Sequence, residues 1–185
     1  ADKDNVEHFA WQTSWGVSWR LIGAMIMAHG DDKGLVLPPK VAPMQVVIVP
    51  IYRNDEGKEK VLPKVEEIKT ALESKEIRVH VDDREGLSPG YKFNDWEMKG
   101  VPLRIEIGPK DIEKNSIVLA KRYNLEKISL NFNEIEKIST ILDEIQVEML
   151  RKAKEEAKIN TIEISDYSDF KSKIEKGGFF NSPWC

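Results

Sequence analysis

Cysteine is nearly absent from this chain: Cys185, the last residue, is the only one. No internal disulfide can form, which fits a reducing compartment. One thiolate is also no metal site, since tetrahedral zinc takes about four ligands. Histidine is scarce as well. His8, His29 and His80 lie far apart without ligand spacing, so structural roles are expected for them. No apolar run approaches the ~18–20 residues that span a bilayer. The opening "ADKDNVEHF" lacks the basic and apolar regions of a secretory signal, so a cytoplasmic location is expected. There is no nucleophile elbow, P-loop or paired-histidine motif, and no internal repeat or low-complexity segment. A cationic excess is missing too, with 28 Lys+Arg against 32 Asp+Glu. That balance argues weakly against a bulk polyanion binder, but base recognition needs only a local patch.

What is present is a charge-rich globular composition, 41% hydrophobic and 32% charged over 185 residues, enough for a real core. Residues 6–20 read as an extended segment with an aromatic loop. From about Ser18 to His29, Leu21, Ile22, Met25 and Ile26 recur at helical spacing, with Gly23, Ala24 and Ala28 interspersed. Pro38-Pro39 forbid continuation. The β-branched run "MQVVIVPIY" (44–52) predicts a strand buried on both faces. A charged turn, "RNDEGKEK", and a helix over about 60–75 follow, then a strand at 77–83 and a helix at 88–100. "VPLRIEIG" (101–108) predicts a third strand, with the turn "PKDIEKN" and two more strand-like runs, "SIVLAKR" and "KISLNF", after it.

A long helix from about Asn133 to Lys158 carries Ile135, Ile138, Ile141, Leu142, Ile145, Met149 and Leu150 on one stripe. The order β-α-β-α-β-β-β-α predicts a mixed sheet with helices on its faces. Residues 159–185 add a strand, "TIEI", and a helix, "DYSDFKSKIEK", before "GGFFNSPWC". The apolar helix in the first 43 residues has no obvious packing partner in the chain.

Two groups of residues carry possible chemistry. Arg20 opens the apolar helix just after Gly16 and Ser18. A guanidinium there could clamp a phosphate, with Gly16 allowing close backbone approach. Alternatively its stem packs while its head meets solvent or a carboxylate, which spacing alone favours. The second group lies in "DDREGLSPGYKFNDWEMKGVPLRIEIGPKD", where Glu97, Arg104, Lys110 and Asp111 mix donors and acceptors suited to base edges. Tyr91, Phe93 and Trp96 could stack bases, although the favoured reading makes Phe93 and Trp96 core residues of a short helix.

The stretch "TSWGVSWRLIGAMIMAHGDDKGLVLPPKVAPMQVVIVPIY" resembles motif 3 of the class II aminoacyl-tRNA synthetases in its prolyl-tRNA synthetase form. "DDREGLSPGYKFNDWEMKGVPLRIEIGPKD" is similar to that family's anticodon-binding domain. "FFNSPWC" is similar to the approach to the zinc-binding domain of its archaeal/eukaryotic-like branch. The resemblance covers essentially the whole chain. "TSWGVSWR" and "SPGYKFNDWEMKGVP" together favour the prolyl over the threonyl or histidyl enzymes.

The resemblance implies an α/β chain in three parts. Residues 1–43 end an antiparallel class II catalytic domain, 44–158 form a mixed five-stranded anticodon-binding domain with its long connecting helix, and 159–185 begin a zinc-binding-type domain. It implies ATP-dependent, Mg2+-assisted attachment of L-proline to tRNA(Pro) through prolyl-adenylate, by a protein that is a homodimer when whole. In that scheme Arg20 contacts the ATP phosphates, Gly16 and Ser18 line the same pocket, and Trp19 has no assigned role.

Glu97, Arg104, Lys110 and Asp111, with Lys127 as a fifth, would read the two guanines of the proline anticodon. Arg104 would donate to guanine O6/N7, and Glu97 or Asp111 would accept from N1 and N2. Cys185 would be a first zinc ligand of the full-length protein, with no zinc expected in this piece. Motifs 1 and 2 do not precede residue 1, so the piece should be inactive alone. The rival reading is a non-catalytic, anticodon-like module that binds RNA or protein.

Overall fold

β-Branched and apolar residues dominate the two strands at the centre of the protein. The computed structural model describes residues 1–183. Strand β1 (Val46–Pro50) is buried along its whole length. After it come helix α2 (Asp55–Glu73), strand β2 (Val79–Val81), helix α3 (Pro89–Met98) and strand β3 (Leu103–Ile107). The short helix α4 (Pro109–Glu113), strands β4 (Ser116–Lys121) and β5 (Lys127–Asn131), and the long helix α5 (Lys137–Ile159) complete the domain. The sheet has the order β2-β1-β3-β4-β5, parallel across β2-β1-β3 and antiparallel across β3-β4-β5. A mixed five-stranded sheet is the architecture that the element order predicts.

Strand alternation divides the core into two layers. Val46 and Ile48 of β1, with Leu103, Ile105 and Ile107 of β3, face α2 and α5 and form the larger cluster. Val47 and Val49 face the other way, onto Trp96 of α3 and Val101. On α5 the stripe Ile138, Ile141, Leu142, Ile145 and Met149 is buried. Leu150, expected in that stripe, is exposed, because it lies about 100° round the helix from Met149.

Three local readings are corrected. The turn expected before α2 is its first turns: Asn54 Oδ1 accepts from the Gly57 N–H at 3.0 Å, starting the helix at Asp55. "PKDIEKN" is not a simple turn but contains α4, with proline in its first turn. Residues 179–181, read as no element, form strand β7 (Phe179–Asn181) parallel to β6 (Thr161–Glu163). Helix α6 (Tyr167–Lys173) links those two strands, and the Phe170 ring meets Phe180 edge-on at 5.7 Å.

Near the N-terminus, helix α1 (Arg20–His29) forms as the spacing predicts but buries none of its residues. Residues 6–18 join no sheet. Between α1 and β1 the chain returns to the domain and is held there. The Leu35 and Leu37 N–H groups donate to the carbonyls of Met98 and Gly100. This approach depends on two glycines with positive φ. A Cβ on Gly34 would lie 2.6 Å from Met98 backbone, and one on Gly100 would lie 2.6 Å from the Leu35 carbonyl oxygen.

Candidate nucleic-acid interface

The face of the sheet turned away from α2 and α5 carries an unusual pair. Within β3, Arg104 and Glu106 alternate with the three core residues and so point together to the α3 side. The sequence places Arg104 within the strand predicted over 101–108. That strand, β3, is paired on both sides, and Arg104 is 6% exposed. A buried guanidinium needs partners, and it has them. Nε and Nη2 donate to Glu106 Oε1 at 3.1 and 2.9 Å, and Nη1 donates to Glu97 Oε1 at 3.0 Å and to the Phe93 carbonyl at 3.3 Å. The guanidinium also lies 4.3 Å from the Phe93 ring centroid.

Register brings Lys127 to the same place. Arg104, Ala120 and Lys127 are paired across β3, β4 and β5 in one row. Lys127 Nζ reaches Glu106 at 2.8 Å. Ala120, the small middle member, leaves room above the sheet. The result is a cleft of about 210 Å³ lined by Glu97, Arg104, Lys127, Lys121, Arg122 and Lys33, among others. Both Glu106 oxygens are taken by Arg104 and Lys127. Glu97 differs: its Oε2 has no partner among the described residues, and its side chain is 20% exposed. The cleft therefore carries one uncommitted carboxylate oxygen beside a row of ion-paired cations.

The other expected site residues lie elsewhere. Lys110 and Asp111 sit on α4 and do not line the cleft. Lys110 is exposed. Asp111 Oδ2 accepts from the Gly108 N–H at 2.8 Å, capping that helix. Trp96 is a core residue, as one of its two readings had it, and its Nε1 donates to Asp82 at 2.7 Å. Phe93 is half-buried beneath Arg104, and Tyr91 is exposed. Gly16, Ser18 and Arg20 are all exposed on the N-terminal segment, and Arg20 makes no ion pair among the described residues. Cys185 lies outside the described residues. Among those residues no group of three or more His, Cys, Asp or Glu side chains is placed to hold a metal. No described helix is long and apolar enough to cross a membrane.

Sequence reasoning missed several members of this site. Glu106 could have been found from strand alternation, because it is two residues from Arg104. Arg122 had no local signal. It is 3% exposed, donates from Nε to the Glu97 carbonyl at 2.8 Å, and binds Asp31 with both Nη atoms at 2.8 and 2.6 Å. The Arg122 hydrogen bonds hold the Asp31 carboxyl at a pKa of about 2. Behind α3, Asp82 is fully buried. Burial pushes its carboxyl up, but hydrogen bonds from Arg84 and Trp96 and the charge of Lys92 outweigh that and hold it well below the usual range. This cluster fixes the helix that carries Phe93 and Glu97.

The anticodon binding domain family matches residues 45–140, the span from just before β1 to the start of α5. Over the whole chain the sequence is similar to proline–tRNA ligases. It is 54% identical to the one from Cenarchaeum symbiosum (strain A), with 100% of this chain and 39% of that protein covered. It is 49% identical to the one from Porphyromonas gingivalis, covering 100% and 38%. For the Chloroflexus aurantiacus protein the figures are 46% identity, 100% and 39%. The chain thus spans about two-fifths of the length of these curated relatives.

Proposed function

This chain belongs to the anticodon-binding domain family, and we propose that it is the C-terminal portion of a prolyl-tRNA synthetase that reads the proline anticodon in the Glu97–Arg104–Lys127 cleft. The whole enzyme would join L-proline to ATP as prolyl-adenylate, with Mg2+, and pass proline to tRNA(Pro). It would act as a cytoplasmic homodimer. Residues 1–43 would end its catalytic domain and 159–185 would open its zinc-binding-type domain, with Cys185 as a ligand there. Alignment of the full chain with proline–tRNA ligases supports this placement. Arg20 would meet the ATP phosphates, where a fixed guanidinium stabilises developing charge with little reorganisation. Gly16 and Ser18 would line the same pocket.

The observation that carries the anticodon reading is the half-used Glu97 carboxylate. Arg104 spends four of its five N–H donors on Glu106, Glu97 and the Phe93 carbonyl. Its main work here is to orient Glu97, with one Nη2 hydrogen left for a base acceptor. Glu97 Oε2 can accept from guanine N1–H and N2–H. Adenine offers a single donor, its N6 amino group, beside an unprotonated N1 whose lone pair would repel the carboxylate. The cleft therefore favours guanine, two of which stand in the proline anticodon. Lys110 and Asp111 on α4 remain flanking contacts in this reading.

Binding of RNA stem-loops tests it. Glu97→Gln should lower the preference for the proline anticodon loop over guanine-to-adenine versions by about 1–3 kcal/mol, measured by fluorescence anisotropy. An unchanged preference would remove Glu97 from recognition.

A further inference from the structure

The tight turn Asp31–Gly34 lies before the segment matched by the anticodon-domain family, yet it forms part of the wall of the same cleft. Its backbone closes on itself, with the Asp31 and Gly34 N–H groups each donating to the other's carbonyl at 3.1 and 3.0 Å. Arg122 grips it from beneath through two Nη bonds to Asp31. The Arg122 side chain is almost wholly buried, so this anchor belongs to the body of the domain. The Asp31 carboxylate also accepts from the Lys33 N–H at 2.9 Å, fixing the backbone at the tip. Gly34 and the Leu35–Met98 hydrogen bond then seat the turn against the end of α3. A surface turn held at so many points presents its tip in a defined place.

Lys33 is at that tip, exposed, and lines the cleft, whereas Asp32 does not. Charge accounting singles it out. Arg104 is paired with Glu97 and Glu106, Lys127 with Glu106, Lys121 with Glu126, and Arg122 with Asp31. Among the described residues Lys33 is the one cleft-lining cation with no carboxylate partner. A base seated on Glu97 Oε2 brings its own phosphodiester to the cleft mouth, and that anion needs a cation whose charge is not already spent.

We infer that Lys33, held by the Asp31–Arg122 clasp, is an RNA backbone-binding residue that contacts a phosphate of the nucleotide read by Glu97. The inference rests on the cleft being the anticodon site. It assigns to the segment leading into the domain a share of RNA affinity that carries no base preference.

The experiment measures this chain binding to the proline anticodon stem-loop across a salt series, for wild type, Lys33→Ala, Lys33→Arg and Glu97→Gln. Lys33→Ala should weaken cognate and adenine-substituted loops by the same several-fold factor. It should also make the slope of log affinity against log salt shallower by about 0.7–0.9, the share of one phosphate contact. Lys33→Arg should keep the wild-type slope, and thermal midpoints should match throughout. If Lys33→Ala leaves slope and affinity unchanged while Glu97→Gln still erodes guanine preference, the lysine contact is wrong and the cleft reading stands. A Lys33→Ala variant that changes guanine preference instead of the salt slope also overturns the backbone role. If Glu97→Gln leaves the preference intact, the cleft is not the anticodon site and the Lys33 assignment falls with it.

Discussion

Helix α1 and strand β1 are both strongly apolar, yet every residue of β1 is buried and none of α1 is. The same contrast runs through their surroundings. Phe9, Trp11, Trp15 and Trp19 stand almost fully exposed, while Trp96 is 5% exposed against α3's side of the sheet. Apolar spacing specifies what element a segment forms, through 3.6- or 2-residue periodicity. Burial needs a complementary surface as well. β1 finds one on both faces, in α2 and α5 on one side and α3 on the other. A contiguous exposed apolar surface marks an interaction face, which the proposed place of residues 1–43 within a larger catalytic domain would cover.

The contrast can be tested from the domain side first, where the largest effect lies. Ile105, fully buried in β3, should lose about 2–5 kcal/mol of stability when replaced by alanine, read from urea unfolding. A smaller loss would mean that the sheet core is looser than its burial indicates.

The junction between the two regions gives an intermediate effect, with a pH signature. The Asp31 pKa is drawn down to about 2 by Arg122, from an ordinary value of 3.8. A carboxylate with a depressed folded-state pKa stabilises the fold above its unfolded value and loses that contribution as pH falls through the folded one. The Asp31–Arg122 pair should thus contribute fully above about pH 4 and fade between about pH 4 and 2. With Asp31 partly exposed the size should be modest. Urea midpoints for wild type and Asp31→Asn should differ at pH 6 and converge near pH 2. Parallel curves over that range would show that the clasp does not hold the turn.

The smallest effect belongs to α1. Ile26→Ala, on a helix that buries nothing, should change stability by no more than about 0.5 kcal/mol. A loss of core size would mean that α1 packs on α5 well beyond its C-terminal end, where Met27, Ala28 and His29 already face Met149 and Ala153.

Local pattern carried much of the fold. The buried run of β1, the alternation of β3 and the stripe on α5 each announce their element within a few residues. Failures came where a single side-chain contact decided a boundary. Asn54 starts α2 five residues before the apolar pattern becomes readable, and Asp111 caps α4 inside what reads as a turn. Strand β7 forms only because β6, 18 residues earlier, offers it a parallel edge.

The site divides in the same way. Glu97 and Arg104 were readable as candidates from their donor and acceptor types and from resemblance to a known motif, and Lys127 from the resemblance alone; both signals are properties of the chain itself. Tertiary structure decided how they are placed. Pairing of β3 with β4 and β5 set Arg104 and Lys127 in one row, and the packing of α3 brought Glu97 onto Arg104, leaving one oxygen open. It also joined Asp31 to Arg122 across 91 residues, and so set Lys33 at the cleft mouth. Periodicity and caps act over a few residues and are written locally. An ion pair between distant positions depends on which strands are neighbours, and that is settled only when the whole sheet has formed.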